Sequence, residues 1–246
     1  MNPARSAPPG AAAAGWYGKI PATGDFVVRR LPPGFRDAWD RWLQETMAGA
    51  RERLGGDWRD AYLSMPAWRF LHSPGMVTDD AWAGLMVPSV DAVGRQFPLT
   101  FACALPGAGL DFAASLEQAS SWFDAMEEIA LQALAPKADV ASIDRAVTAR
   151  PFPLEALARR DGGPDATVPF RSASAQMLAV PAAALRPAAA QLAEPCGLWL
   201  SSESESFPRA ALLCERLPSG KHFCGMMDGR WREHGWANRD LQGRAA

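Results

Sequence analysis

The residue types that most often carry covalent or proton-transfer chemistry are sparse in this chain. There are three His, at positions 72, 222 and 234, and four Cys, at 103, 196, 214 and 224. The His are scattered, so a Ser-His-Asp triad would have to be assembled by the fold. One set is worth naming for hydrolysis: Ser89 as nucleophile, His72 as base and Asp91 as orienting carboxylate. His72 stands before Ser73-Pro74-Gly75, a composition that predicts a turn. His222 falls in an apolar run that predicts a strand. The cysteines are separated by 93, 18 and 10 residues, with no C-x-x-C. Neither a redox dithiol nor a paired zinc knuckle is therefore indicated. Cys196, Cys214, His222 and Cys224 come nearest to a metal set, but small apolar residues on strands account for them without one. The chain has no G-x-x-x-x-G-K-[ST] phosphate loop and no G-x-G-x-x-G after a strand. It also lacks a G-x-S-x-G elbow and an H-E-x-x-H pair. No catalytic, cofactor-binding or metal-ligating residue is assigned.

Two loop clusters hold the remaining chemistry. One comprises Pro21, Gly24, Asp25, Phe26 and Arg29; the other comprises Pro88, Ser89, Asp91, Gly94, Arg95, Phe97 and Pro98. Each sets turn-forming residues beside a carboxylate, an arginine and an aromatic ring. Such loops can hold a partner's backbone or carboxylates through a guanidinium. They can equally be self-contained, with Asp25 and Asp91 capping turns and Arg95 pairing inside the fold. Trp16 and Trp82 flank the clusters. The candidate partner-binding residues are thus Trp16, Asp25, Arg29, Trp82, Asp91 and Arg95. The serine-rich run at residues 201–206, SSESES, reads as an acidic, solvated loop or a phosphosite.

The elements that must position these loops are legible from periodicity. Trp16 to Ile20 and Phe26 to Arg30 form a hairpin around Pro21, Gly24 and Asp25. Phe35, Ala38, Trp39, Trp42, Leu43, Met47, Ala50 and Leu54 make the stripe of a long helix, closed by Gly55-Gly56. Asp57 opens a short helix. Ala67 to Leu71, Trp82 to Pro88 and Pro98 to Leu105 read as a strand meander. Asp111 caps a second long helix reaching Pro136, and Asp139 to Val147 is a further short one. Leu198 to Leu200, Ala211 to Glu215 and Phe223 to Met227 read as late strands. This order predicts an α+β fold: a central, mainly antiparallel sheet flanked by helices.

Composition sets the outer limits. The 246 residues include 25 basic and 27 acidic side chains, a net charge of −2, which argues against a dedicated nucleic-acid binder. No run of about 18 apolar residues occurs, so no membrane span is expected. With 48% apolar and 21% charged residues, the chain is of ordinary globular type. The first fourteen residues read as a disordered lead-in rather than a signal peptide. Together with free thiols, that points to the cytoplasm. Residues 15–150 form the core. Residues 151–195, with seven Pro, many Ala and no Trp, read as irregular. Residues 196–231 add strands to the same domain, and 232–246 are expected to fray.

Four blocks in fixed order carry a family resemblance: WYGKIPATGDFVVRRLP from Trp16, WDRWL from Trp39, AWRF from Ala67 and PSVDAVGRQFPLT from Pro88. They resemble the TagF (ImpM) family, accessory proteins of bacterial type VI secretion systems. GLWLSSESESFP and LPSGKHFCGMMDGRW resemble its C-terminal portion. The resemblance implies an α/β sandwich with a longin-like arrangement and no catalytic activity or cofactor. It further implies a cytoplasmic regulator that restrains secretion after translation by engaging a forkhead-associated scaffold protein. A structural component of the secretion apparatus and an unrecognised hydrolase are the competing readings.

Overall fold

The computed structural model describes residues 11–106, 109–158, 177–181, 195–202, 207 and 209–238. Strand β1 (Ala11–Ala12) pairs with β7 (Phe152–Pro153), so part of the expected lead-in is ordered by pairing. The other strands are β2 (Gly15–Gly18), β3 (Val27–Arg29), β4 (Trp68–His72), β5 (Ala81–Val87), β6 (Leu99–Leu105), β8 (Met177–Pro181), β9 (Gly197–Ser201), β10 (Ala210–Cys214) and β11 (Ala237–Asn238). These nine build one sheet in the order β11-β8-β10-β9-β4-β5-β6-β2-β3. Every neighbouring pair is antiparallel except β11 with β8. The expected α+β class with a mainly antiparallel sheet is therefore correct.

Helices cover both faces. One face packs against α1 (Pro33–Leu54), α2 (Trp58–Leu63) and α6 (Gly220–Asp228). The other packs against α3 (Phe112–Gln118), α4 (Ser120–Ala133) and α5 (Val140–Thr148). Successive strand residues point to opposite faces, and the two cores divide the strands accordingly. On β5, Ala81, Ala83, Leu85 and Val87 face α3–α5, whereas Trp82 and Met86 face α1 and its neighbours. The expected stripe of α1 is buried, with Phe35, Trp39 and Leu43 inaccessible. Trp39 stacks near Phe35, Phe70 and Trp199, and its indole N–H donates to Thr100 Oγ1 at 3.0 Å.

Several elements differ from the sequence reading. Phe223 to Met227 lie in helix α6, not in a strand. Pro218 and Ser219 precede it and left-handed Gly229 ends it, the usual signals at each end. Its burial over five consecutive residues hides the helical period. Close approach of α6 to α1 requires glycine: a Cβ on Gly220 would stand 2.9 Å from Gly49 Cα. The second long helix is broken at Ala119 into α3 and α4, though Asp111 does cap α3 through the Ala114 N–H at 3.0 Å. Within 151–195, Met177–Pro181 is a strand of the main sheet. Past residue 231, Trp236 is buried and donates to His222 O, and β11 joins the sheet. Residues 203–206 of the acidic serine run lie outside the described residues.

His72 is no turn residue. It ends β4 and is fully buried among Phe70, Trp39 and Trp199. Neither ring nitrogen has a partner among the described residues. Burial pushes its imidazole down to about 3, so it is neutral in the fold. The unfolded chain binds this proton near pH 6.5 and the folded chain does not. Stability is therefore complete above about pH 6.5 and is lost as the pH falls toward 3, by up to about 1.4 kcal/mol per pH unit. Urea titrations of His72→Leu should show a flatter acid limb than wild type over that range; parallel limbs would contradict this assignment. Trp39→Ala should cost about 3–5 kcal/mol in the same assay. A near-neutral result would mean that the α1 stripe is not core.

Candidate functional site

Two loops meet at the end of the sheet where β2 turns into β3 and β5 turns into β6. Gly18 begins the first turn with φ 140°, and a Cβ there would meet Pro98 O at 2.2 Å, so only glycine lets the two segments touch. The loops are stitched by backbone and side chain alike. Ala92 N donates to Thr23 O at 2.9 Å, and an Arg95 guanidinium nitrogen donates to Gly24 O. The β2–β3 turn closes through Thr23 N to Ile20 O and Thr23 Oγ1 to Asp25 O. The β5–β6 loop closes through Asp91 N to Arg95 O and Gly94 N to Asp91 O, with Gly94 left-handed at φ 82°.

Asp91 is the hub. Its carboxylate is enclosed and accepts from Lys19 Nζ at 2.8 Å, from Arg95 Nε, and from the N–H groups of Val93 at 3.1 Å and Arg95 at 2.8 Å. Burial alone would raise its pKa. The hydrogen bonds from Lys19, from the backbone and side chain of Arg95 and from Val93 outweigh it and hold the carboxyl well below the usual carboxylate range. The loop contacts therefore persist through the carboxylate range and fail only as strong acid protonates Asp91. Lys19 also places its ammonium 5.1 Å from the Phe26 ring centroid. Phe26 stacks on Tyr17 at 5.4 Å and meets Phe97 edge-on at 4.8 Å. Below them Tyr17 Oη donates to Asp40 on α1; burial first, then this carboxylate, pushes the phenol up. Gln96 accepts from Trp58 Nε1 at 2.8 Å and Arg51 at 3.2 Å, which ties the loop to α2 and α1.

The structure separates the six candidate partner residues. Asp25 and Arg95 are exposed on the loop pair, whereas Arg29 is exposed on β3 opposite Trp16, on the face of the sheet where Asp144 of α5 lies. Asp91 is interior and shapes the loops from within. Trp16 and Trp82 are corrected to core residues: helices cover both faces of the sheet, so Trp16 packs in the α3–α5 core and Trp82 in the core of α1, α2 and α6. Trp16 donates to Asp144 at 2.8 Å and Trp82 to Thr78 Oγ1 at 2.8 Å. Sequence reasoning did not single out Lys19, which lies 72 residues from its partner Asp91. Nor did it single out Val93, whose exposure no local pattern reveals.

The hydrolytic set is not assembled. Ser89 is buried, and its hydroxyl donates to Lys19 O at 2.7 Å. His72 pairs across the sheet with Trp82, seven residues before Ser89. At about 3.3 Å per residue, roughly 20 Å separates them. The other two His have local partners: His222 Nδ1 contacts Ser219 Oγ at 2.8 Å and His234 Nε2 contacts Asp228 at 2.8 Å. All four cysteines are buried, with Cys103 and Cys214 on strands as expected, Cys196 just before β9, and Cys224 on helix α6. Among the described residues, no helix is long and apolar enough to cross a membrane.

Fold and site together define an α+β domain built round one mainly antiparallel sheet, with a braced loop pair at one end. Residues 15–150 match the TagF N-terminal domain, described as type VI secretion system-associated. The crystal structure of PA0076 from Pseudomonas aeruginosa PAO1, at 2.05 Å resolution, is similar over most of the chain. It shares 33% sequence identity and a TM-score of 0.72, across 89% of this chain and 95% of that one. No curated protein matches the sequence. The chain belongs to the TagF family of type VI secretion system-associated proteins.

The bonding pattern ranks two substitutions. Asp91→Asn leaves the Lys19 ammonium without its buried counter-charge, whereas Arg95→Ala removes a side chain that is 61% exposed. Asp91→Asn should lower the melting temperature more than Arg95→Ala and speed amide exchange at Val93 and Arg95. Equal melting and unchanged exchange in the two variants would remove Asp91 from its place as hub.

Proposed function

We propose that this protein is a non-enzymatic cytoplasmic accessory factor that restrains type VI secretion after translation by binding a protein component of the system. The first candidate for that component is a forkhead-associated scaffold protein. Membership of a type VI secretion-associated family carries the reading, with the matched domain containing both loops of the candidate site. By occupying a surface of the scaffold, the protein would keep the secretion apparatus from assembling. Asp25, Arg29 and Arg95 are the exposed members of the contact set. Affinity at such surfaces comes from a few anchors rather than from area. The hydrolase reading has lost the constellation that motivated it, because Ser89 and His72 lie at opposite ends of the β4–β5 ladder.

Chromosomal deletion and overexpression, read by secreted tube protein in culture supernatants, separate regulator from machine part. Deletion should raise secretion and overexpression should lower it, with the purified scaffold binding the purified chain. Loss of secretion on deletion would overturn the regulatory reading in favour of a component of the apparatus.

A further inference from the structure

On the α4 face of the sheet, a cleft of about 340 Å³ lies between that helix and the strands β4, β9 and β10. Its size falls within the range of small-molecule sites, about 300–1,000 Å³. Every side chain lining it is charged or carries a hydroxyl. Spacing on α4 makes one wall: Ser120, Asp124 and Glu127 fall at i, i+4 and i+7 and so share a helix face. The strands make the other. Arg69 rises from β4, Ser201 ends β9 and Arg209 precedes β10. Asp124 and Arg209 are exposed, so the cleft opens to solvent.

The charges in this cleft are only partly used. Arg69 donates from Nε to Glu127 Oε1 and from Nη2 to Asp124 Oδ1, while its Nη1 has no partner among the described residues. Glu127 Oε1 also accepts from the Ser202 hydroxyl, which leaves Oε2 of Glu127 and Oδ2 of Asp124 open among those residues. Arg209 and the Ser120 hydroxyl likewise have no partner there. An ion cluster that served the fold alone would need neither the space nor a second guanidinium, because two carboxylates already answer Arg69.

We propose that the cleft binds a small zwitterion, an α-amino acid without a large apolar side chain. Its carboxylate takes Arg69 Nη1 and Arg209, since a planar carboxylate suits guanidinium donors. Its ammonium takes Asp124 Oδ2 and Glu127 Oε2, and the Ser120 and Ser201 hydroxyls face its polar remainder. Charge balance selects this class. Two guanidiniums and two carboxylates leave no net charge in the cleft. A phosphate dianion would meet both carboxylates and a polyamine both guanidiniums, each a like-charge contact. A large apolar side chain would find no apolar wall. Arg69 is held by its two carboxylates before any ligand arrives, so little ordering accompanies binding. The site is separate from the loop pair and implies a ligand, not a reaction.

The test is calorimetric titration of the full chain with each of the standard α-amino acids, with inorganic phosphate and putrescine as single-sign probes. At least one small polar amino acid should bind one-to-one. Its amide and its N-acetyl derivative, each lacking one of the two charges, should bind at least tenfold more weakly. Arg209→Gln, which breaks no bond within the described fold, should weaken binding at least tenfold with an unchanged melting temperature. Arg95→Ala, on the loop pair, should bind within twofold of wild type. Absence of binding by every amino acid, tighter binding of phosphate or putrescine, equal binding of the singly charged derivatives, or wild-type affinity in folded Arg209→Gln overturns the proposal. None of these outcomes bears on the regulatory reading.

Discussion

Burying an antiparallel sheet on both faces removes the usual alternation of apolar and polar residues, because each strand residue then faces one core or the other. On β5 all seven residues are buried, and β4, β9 and β10 are buried throughout. The helices must therefore supply two apolar linings, one from α1, α2 and α6 and one from α3, α4 and α5. Most of the tryptophan content goes into this requirement. Trp16, Trp39, Trp68, Trp82 and Trp199 are inaccessible or nearly so. Several buried tryptophans, Trp42 among them, bond their polar N–H across elements: Trp39 uses Thr100, Trp42 uses Pro218 O and Trp68 uses Met226 O. A tryptophan at such a position fills the gap between sheet and helix and also pins one element to another.

Double burial also explains where charge can enter. Arg69 projects from β4 toward α4, where Glu127 and Asp124 receive it at 2.7 and 2.6 Å. Desolvation works against its positive charge, and the two carboxylates outweigh it, raising its pKa. Asp91 is the second such place. Both lie toward the same end of the sheet, since Arg69 faces Leu85 on β5 and Asp91 follows the same strand. The opposite end of the β4–β5 ladder carries His72 instead, neutral and without a partner among the described residues. The charged interior is thus concentrated beneath the loops, and the far end is left apolar.

Much of this was legible from residue order. The stripe of α1, the hairpin, the meander β4–β5–β6, the Asp111 cap and the short helix after Asp139 all follow local rules that act within a few residues. That Asp91 caps its turn and that Arg95 pairs inside the fold was one of the two readings the loop allowed, and the carboxylate Arg95 finds is Asp91 itself, four residues away around Gly94. What escaped depends on distant partners. Met177–Pro181 becomes a strand because β10, well beyond it in sequence, pairs with it. α6 is a helix because Gly220 lets it press on Gly49, although its buried run Phe-Cys-Gly-Met-Met has no helical stripe. Trp16 and Trp82 illustrate the converse error: adjacency to a loop in sequence says nothing about exposure when helices cover both faces of the sheet.

The same distinction bears on how a sheet-centred domain can carry a recognition surface. Strand positions are committed twice over, to one core or the other, and tolerate little change. Loops at the strand ends are free of that demand but lose precision unless something braces them. Here the bracing comes from three sources of different range: the Asp91 turn itself, Lys19 from the neighbouring loop, and Gln96 reaching Trp58 and Arg51 on the helical layer. Lys19 acts through Asp91, so loss of Asp91 leaves chiefly the Gln96 tether, whereas loss of Lys19 or Gln96 leaves the Asp91 turn in place. A surface built this way keeps a fixed shape while its exposed side chains vary independently of the core. That is what a partner-binding site on an otherwise fully packed sheet requires.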